Sequence, residues 1–220
     1  MSNHRALVLD FGGVISRTLF ETHDLTEKAL GLAVGTLDWR GPFAPETDPL
    51  WRDMQAGAIS ERDYWLTRTK EMGKLVGKTW TRMEEFVQAA RGADPLSVIR
   101  PEFRKTQHIV QSAGLKTAIL SNELDLFYGA DFRDRLPFLR SFDLIIDATY
   151  TNVLKPDPRA YHFISDGLRL APEQCVFVDD QLKNIVGAQA VGMTTVHFDV
   201  AHPRQSYEDA LAHFGLRYQE

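Results

Sequence analysis

The stretch ALVLDFGGVIS, residues 6–16, places a single acid, Asp10, at the end of a short apolar run. The run Ala6–Leu9 is aliphatic and does not alternate with polar residues, which is typical of a strand buried on both faces of a parallel sheet. In an open parallel sheet, ligands bind outside the carboxyl ends of the strands. The sequence therefore predicts that Asp10 lies where such a protein performs its chemistry.

Other segments of the chain predict the rest of that sheet. Four more apolar runs have the composition of buried strands: Thr117–Leu120, Leu144–Ile146, Val176–Val178 and Thr194–Phe198. Helix signals separate them: Pro101 in a first turn with Gly114 just past the end, then Tyr161, Ile164 and Leu168 at helical spacing, then Ile185, Ala188 and Val191 before Gly192. Strands that alternate with helices indicate an α/β fold with a doubly wound parallel sheet.

The segment between the first two predicted strands is far longer than a crossover requires, and it contains no strand-like run. Its helix signals are Asp48-Pro49 as a start with Gly57 as an end, and two candidate capping boxes, Ser60 with Asp63 and Thr81 with Glu84. We expect residues 16–92 to form an inserted helical domain, and residues 1–15 and 93–220 to form the core.

Polar residues follow the other predicted strands as well. Ser121-Asn122 ends the second strand, Lys155 lies in the loop after the third, and Asp179-Asp180 ends the fourth. Each alone also suits a helix cap, a turn or a solvated loop. Together the carboxylates would repel one another, and a bound divalent cation offsets that repulsion. The lysine then completes a site for a dianionic group.

Composition limits the other classes of partner. The net charge of -5 and the pI near 5.8 provide no basic surface for nucleic acid or for an anionic membrane. No apolar stretch is long enough to span a membrane, and the start, Met1–Arg5, does not resemble a signal peptide. The single cysteine, Cys175, excludes an intrachain disulfide. We expect a cytoplasmic protein, and the sequence does not indicate its oligomeric state.

Four motifs occur in a fixed order across nearly the whole chain: LVLDFGGVI, AILSNE, LKPDPRAY and VFVDDQLKNIVGAQAVGM. In these motifs the chain resembles the haloacid dehalogenase superfamily, and it is similar to the phosphatases of that superfamily that carry a helical cap after the first strand. The resemblance implies a Rossmann-like core with an inserted α-helical cap. It also implies a phosphomonoesterase that depends on Mg²⁺ and acts on a small phosphorylated metabolite, such as a sugar phosphate, through an aspartyl-phosphate.

The resemblance also implies a role for each motif residue. Asp10 is the nucleophile and a metal ligand. The carbonyl of Gly12 and the carboxylate of Asp180 also bind the metal. Asp179 either ligates the metal or lies just behind it, and Asn184 lies behind the ligands. Ser121 and the amide of Asn122 hold the phosphoryl oxygens, the glycine turn with Gly13 brings backbone amides near the anion, and Lys155 neutralises nucleophile and phosphate.

Gly12 departs from the pattern of most phosphatases of the superfamily, which carry a second aspartate there as the general acid. Three explanations stay open. The enzyme is a phosphatase that acts on esters needing little protonation or that uses another acid; it is a hydrolase of the dehalogenase or phosphonatase kind; or it is an inactive binding or regulatory protein. The pair Asp179-Asp180 favours a metal, and the joint presence of Asp10, Ser121 and Lys155 favours catalysis.

Overall fold

A computed structural model describes residues 3–91, 95–129, 131 and 133–218, and it contains the predicted sheet. Five strands are parallel and lie in the order β3-β2-β1-β4-β5. Each predicted run is confirmed as a strand, with ends that differ by one residue at most. The strands are β1 (Ala6–Leu9), β2 (Lys116–Ser121), β3 (Leu144–Asp147), β4 (Cys175–Asp179) and β5 (Thr194–His197).

The register of the sheet brings the predicted chemistry to one edge. Leu9, the last residue of the central strand β1, pairs with Ile119 of β2 and with Val178 of β4. The residues that follow Leu9 and Val178 therefore lie side by side at the end of the sheet. These residues are Asp10 and Asp179, so the chain places two carboxylates next to each other at the carboxyl edge.

Ten α-helices accompany the sheet in the described part of the chain. They are α1 (His23–Leu30), α2 (Pro49–Gln55), α3 (Glu61–Leu75), α4 (Met83–Arg91), α5 (Pro101–Ser112), α6 (Leu124–Tyr128), α7 (Ala148–Thr151), α8 (Pro158–Leu168), α9 (Leu182–Ala190) and α10 (Pro203–Ala212). At least one helix lies in each connection from β2 to β3, from β3 to β4 and from β4 to β5. This alternation confirms the α/β class and the doubly wound arrangement.

The chain divides into two compact units. The first contains Met1–Arg17, Ile99–Asp125 and Arg133–Glu220, and the second contains Thr18–Val98 and Leu126–Phe132. The sequence-based boundaries, 15/16 and 92/93, differ from these by two and six residues. The segment Leu126–Phe132 was expected in the core and clusters with the second unit instead.

In the first unit, both faces of the sheet are covered. Helices α8 and α9 pack on one face, where Val8, Leu120 and Phe177 form a core with Tyr161 and Ile185. Because side chains alternate along a strand, the neighbouring strand residues point to the other face. There α5 packs against β2 and α10 packs against β5. A sheet covered on both faces explains why its central strands β1 and β4 are fully buried and mostly apolar.

The second unit is helical in its described residues, and its helix starts follow local capping chemistry. Asp48 accepts a hydrogen bond from the Trp51 amide at the start of α2, as predicted. Ser60 and Asp63 form the predicted capping box of α3. Its core joins aromatic rings such as Phe20, Trp39 and Trp51 to a buried ion pair between Arg68 and Asp48.

The second predicted capping box, Thr81 with Glu84, is wrong. The carboxylate of Glu85 accepts from the amides of Thr81 and Arg82, both at 2.9 Å. Helix α4 begins at Met83, so the third helical residue, where the reciprocal acid of a cap lies, is Glu85 and not Glu84. Within the described residues, no helix combines the length and the apolar character that crossing a membrane would require.

Candidate active site

Lys155 joins two carboxylates at the carboxyl edge of the sheet. Its Nζ lies 2.9 Å from Asp10 Oδ1 and 2.6 Å from Asp179 Oδ2. Burial by itself lowers the pKa of Lys155, but the charges of Asp10 and Asp179 outweigh it and hold the pKa above the ordinary value for lysine. Lys155 is therefore a fixed cation next to the predicted nucleophile, as the sequence predicted from its position after β3.

Asp179 is fully buried, and its carboxylate is already occupied by protein donors. Oδ1 accepts from the Gln181 amide at 2.8 Å, Oδ2 accepts from Lys155, and the Asn184 side-chain amide lies 3.1 Å from both oxygens. Of the two roles that the resemblance implied, a place behind the metal ligands suits this set of contacts better than direct ligation. Asp179 positions Lys155 and Asn184.

The carboxylates of Asp10, Asp179 and Asp180 form one cluster. One oxygen from each lies within 4.8 Å of the others. When all three carboxylates are ionised they carry three negative charges, and the ammonium of Lys155 offsets one charge of that surplus. Hard oxygen ligands with that surplus charge suit Mg²⁺. The structure thus brings Asp10 and Asp180 together as candidate ligands.

Two further features of these residues support the fit to Mg²⁺: an oxygen atom without a partner in the described part of the chain and a close approach of the backbone. The Oδ1 atom of Asn184 is buried and has no hydrogen-bond partner among the described residues, so it is placed to accept from a water held near the carboxylates. Gly13 has φ +80°, and a Cβ on it would lie 2.6 Å from Asp180 Oδ2. The backbone therefore packs directly against the Asp180 carboxylate, and only glycine permits that approach.

Gly12 lies between two backbone carbonyls that are engaged elsewhere. The Phe11 carbonyl accepts from the amides of Ile15 and Ser16 at 3.0 and 2.9 Å, and the Gly13 carbonyl accepts from Arg100 Nε at 3.0 Å. A Cβ on Gly12 would meet no atom within 4 Å. The space around a Cβ therefore does not require glycine at this position.

Ser121 and Asn122 end β2 at the same edge, and both are buried. The Asn122 side chain binds the backbone of Lys155 at two points: Oδ1 accepts from the Lys155 amide at 2.7 Å, and Nδ2 donates to the Lys155 carbonyl at 3.2 Å. The sequence predicted a role only for the Asn122 backbone amide, which stays a prediction. Its side chain has a separate role, which is to fix the loop that carries Lys155.

Sequence reasoning missed an ionic network beside Ser121. Asp147 pairs in register with Ser121 at the end of β3. Arg133 binds Asp147 Oδ2 at 2.9 Å and Asp125 Oδ1 at 2.7 Å. The position of Asp147 at a strand end was a signal for it, of the same kind as that of Asp179. No local signal marks Arg133, because it reaches the network from a loop.

Comparison with known proteins identifies the family of the chain. The model of the family described as haloacid dehalogenase-like hydrolase matches residues 4–192. The chain belongs to the haloacid dehalogenase-like hydrolases. The chain is also 33% identical over 180 residues to (S)-2-haloacid dehalogenase 1 of Pseudomonas sp. (strain CBS-3), which covers 77% of the chain and 78% of that protein. The family that the four motifs indicated is therefore confirmed, and this hydrolase is an enzyme of that family.

Other relatives of this hydrolase have different names. It is 28% identical over 111 residues to a probable phosphoglycolate phosphatase of Pseudomonas putida, a match that covers 50% of the chain and 44% of the relative. It also matches mouse acyl-CoA dehydrogenase family member 10 at 32% identity over 108 residues, 49% of the chain but only 10% of that protein. The chain thus spans less than half the length of these two relatives.

A solved structure shares the fold. A HAD family enzyme of Bacteroides thetaiotaomicron, determined in complex with magnesium and inorganic phosphate, has a TM-score of 0.53 at 17% identity, and the match covers 90% of this chain and 95% of that one. At this identity the likeness concerns the fold. Relatives named as phosphatases and as dehalogenases both occur, so the choice between these reactions depends on the site itself.

Proposed function

We propose that this hydrolase is a phosphatase that depends on Mg²⁺ and acts on a small phosphate ester, with Asp10 as the nucleophile. The observation that carries the proposal is the cluster of Asp10, Asp179 and Asp180, in which the Lys155 ammonium is paired with Asp10 and Asp179. A dianionic phosphoryl group binds beside these carboxylates only if added positive charge offsets the repulsion. Displacement of halide from carbon brings no such dianion, so it gives no comparable reason for a metal at these carboxylates.

The residues of the first unit divide the proposed chemistry among them. A carboxylate oxygen of Asp10 forms a bond to phosphorus while the bond from phosphorus to the leaving oxygen breaks, which leaves an aspartyl-phosphate on Asp10. Water then attacks that phosphorus, the bond to Asp10 breaks, and phosphate departs. Lys155 offsets charge on Asp10 and on the phosphoryl group throughout, because its ammonium is held 2.9 Å from Asp10.

The other contacts orient the phosphoryl group. The hydroxyl of Ser121 and the amide of Asn122 donate to its oxygens from the end of β2, and Asp10, Asp180 and the Gly12 carbonyl hold Mg²⁺. When bound, Mg²⁺ supplies further neutralisation of charge on the transferred group. We also propose that the helical second unit acts as a cap that selects the organic part of the substrate.

The absence of an acid at Gly12 narrows the substrate class. A positioned general acid contributes about 10² to 10⁴ in rate. Without one, the leaving oxygen departs with most of its negative charge. We expect esters of acidic leaving groups, such as aryl phosphates, acyl phosphates and phosphates on the anomeric carbon of a sugar, to react much faster than simple alkyl phosphates.

A second candidate function is 2-haloacid dehalogenation, which the 33% identity to the Pseudomonas dehalogenase favours. It uses the same nucleophile on carbon instead of phosphorus. Such an enzyme releases halide without a requirement for magnesium, so the two candidates differ in substrate and in metal dependence.

One experiment separates the candidates. The assay compares wild type with Asp10→Asn, and Asp166→Asn in the exposed part of α8 is the matched control. Each protein is given 4-nitrophenyl phosphate and 2-chloropropionate, once in MgCl₂ and once in EDTA. The proposal expects release of phosphate in MgCl₂ by wild type and control, with loss in EDTA and in Asp10→Asn. Halide release in EDTA would refute the phosphatase proposal and support dehalogenation. If neither compound were turned over, the result would favour a binding protein.

A further inference from the structure

The loop that directly follows the proposed nucleophile, Asp10, is held by residues from distant parts of the chain. We call residues 11–16 the nucleophile loop. The Gly13 carbonyl accepts from Arg100 Nε at 3.0 Å, the Val14 carbonyl accepts from the Tyr207 hydroxyl at 2.7 Å, and the Ile15 carbonyl accepts from the Arg100 amide at 3.0 Å. Three consecutive carbonyls of the loop are therefore bonded to residues outside it.

The groups that hold the loop form one buried platform. Arg100 and Tyr207 are buried, as is Phe198 between them. The Arg100 guanidinium lies over the Phe198 ring at 5.4 Å, and the rings of Phe198 and Tyr207 meet edge to face at 5.1 Å. Away from water these hydrogen bonds are strong, and a carbonyl that lost its donor would stay unsatisfied. The platform thus fixes the loop in one conformation.

This conformation matters for the site because the loop is short and continuous with it. Gly13, whose carbonyl Arg100 holds, is the residue that packs against the Asp180 carboxylate. Gly12, the proposed source of a backbone ligand, precedes it directly. A shift of Gly13 or Val14 therefore moves the backbone groups on which the proposed site depends, and misplacement of such groups slows the chemical step more than it weakens binding.

Two members of the platform lie outside the part of the chain that the family model matches. That match ends at residue 192, whereas Phe198 follows β5 and Tyr207 belongs to α10. We propose that Tyr207, together with Arg100, is a positioning residue that aligns the nucleophile loop, so that the C-terminal helix takes part in catalysis. The inference rests on the proposed function in one respect, which is that Asp10 is the nucleophile.

The variant Tyr207→Phe tests the inference, since it removes one hydroxyl and leaves the ring on Phe198. Tyr218→Phe is the matched control: the Tyr218 hydroxyl also donates to a backbone carbonyl of the first unit, that of Glu102 at 3.0 Å, but it does not contact the nucleophile loop. At a temperature where both variants are folded, we expect kcat for 4-nitrophenyl phosphate to fall about tenfold in Tyr207→Phe with KM unchanged. Both constants should stay at wild-type values in Tyr218→Phe.

A second measurement decides the matter without turnover. Amide hydrogen exchange of a peptide that covers residues 11–16 should become faster in Tyr207→Phe and stay unchanged in Tyr218→Phe. Unchanged exchange of that peptide in Tyr207→Phe, or an equal loss of kcat in both variants, would overturn the positioning role. If wild type hydrolyses no phosphate ester, the proposed function fails, and the exchange result alone decides whether Tyr207 aligns the loop.

Discussion

Under the proposed function, Gly12→Asp is expected to place a general acid at a position where glycine supplies none. A Cβ at Gly12 would meet no atom within 4 Å, and the glycines with positive φ do not include Gly12. A Cβ therefore enters without a clash and without backbone strain. A positioned acid is worth about 10² to 10⁴ in rate, which at about 1.4 kcal/mol per decade lowers the barrier by about 3 to 5.5 kcal/mol.

That gain should appear only where the leaving group needs a proton. We expect kcat/KM of Gly12→Asp for alkyl phosphates to rise by about 10² or more, while that for 4-nitrophenyl phosphate changes little. The assay compares kcat/KM for a series of esters of graded leaving-group acidity. Gly12→Ala is the control, since it adds the Cβ alone and should keep the steep dependence of wild type.

The reasoning would be refuted by a flat dependence in wild type, because some other residue would then supply the proton. It would also be refuted if Gly12→Asp kept its activity on aryl esters but gained nothing over Gly12→Ala on alkyl esters. In the first case the donor should be sought in the second unit.

Three other predictions concern stability and reactivity. Gly13→Ala should destabilise the fold by at least about 1 kcal/mol in thermal denaturation, because its φ is +80° and its Cβ would lie 2.6 Å from Asp180 Oδ2; an unchanged melting temperature would contradict this. MgCl₂ at 100 times its Kd should add about 2.7 kcal/mol to the free energy of unfolding of wild type and less to that of Asp180→Asn, whereas equal gains would exclude Asp180 as a ligand. Burial raises the pKa of Cys175 to about 11, so a disulfide reagent at pH 8 should label it only after unfolding in denaturant, and rapid labelling of the native protein would show that the thiol is accessible.

Much of the sheet and of the site could be predicted because the signals are local. Aliphatic runs such as Ala6–Leu9 are long enough to identify buried strands, and parallel topology then brings every strand end to one edge. The contact between Lys155 and Asp10 follows from that topology, although no sequence pattern gives its distance of 2.9 Å. Where a residue lies at a strand end was therefore easier to predict than which atoms it touches.

The parts that sequence reasoning missed depend on contacts between distant residues. The hydroxyl of Tyr207 meets the Val14 carbonyl across 193 positions, and nothing near Tyr207 in the sequence marks it as part of the site. The error at the start of α4, where Glu84 was predicted as the capping acid and Glu85 has that role, has a different cause. It follows from a helix start one residue later than expected, and helix ends are set by packing as much as by capping chemistry.

The segment Leu126–Phe132 makes the second unit harder to transplant than a simple insertion. The chain passes between the two units four times, since this segment leaves the first unit after Asp125 and returns at Arg133. Within the second unit, Phe127 of this segment meets Trp65 edge to face at 5.3 Å. A chimera that exchanges residues 18–98 alone would pair a foreign helical unit with the native Phe127. An exchange of the second unit between two such hydrolases should therefore include both stretches, and it should keep the Asp125–Arg133 pair that closes the shorter one.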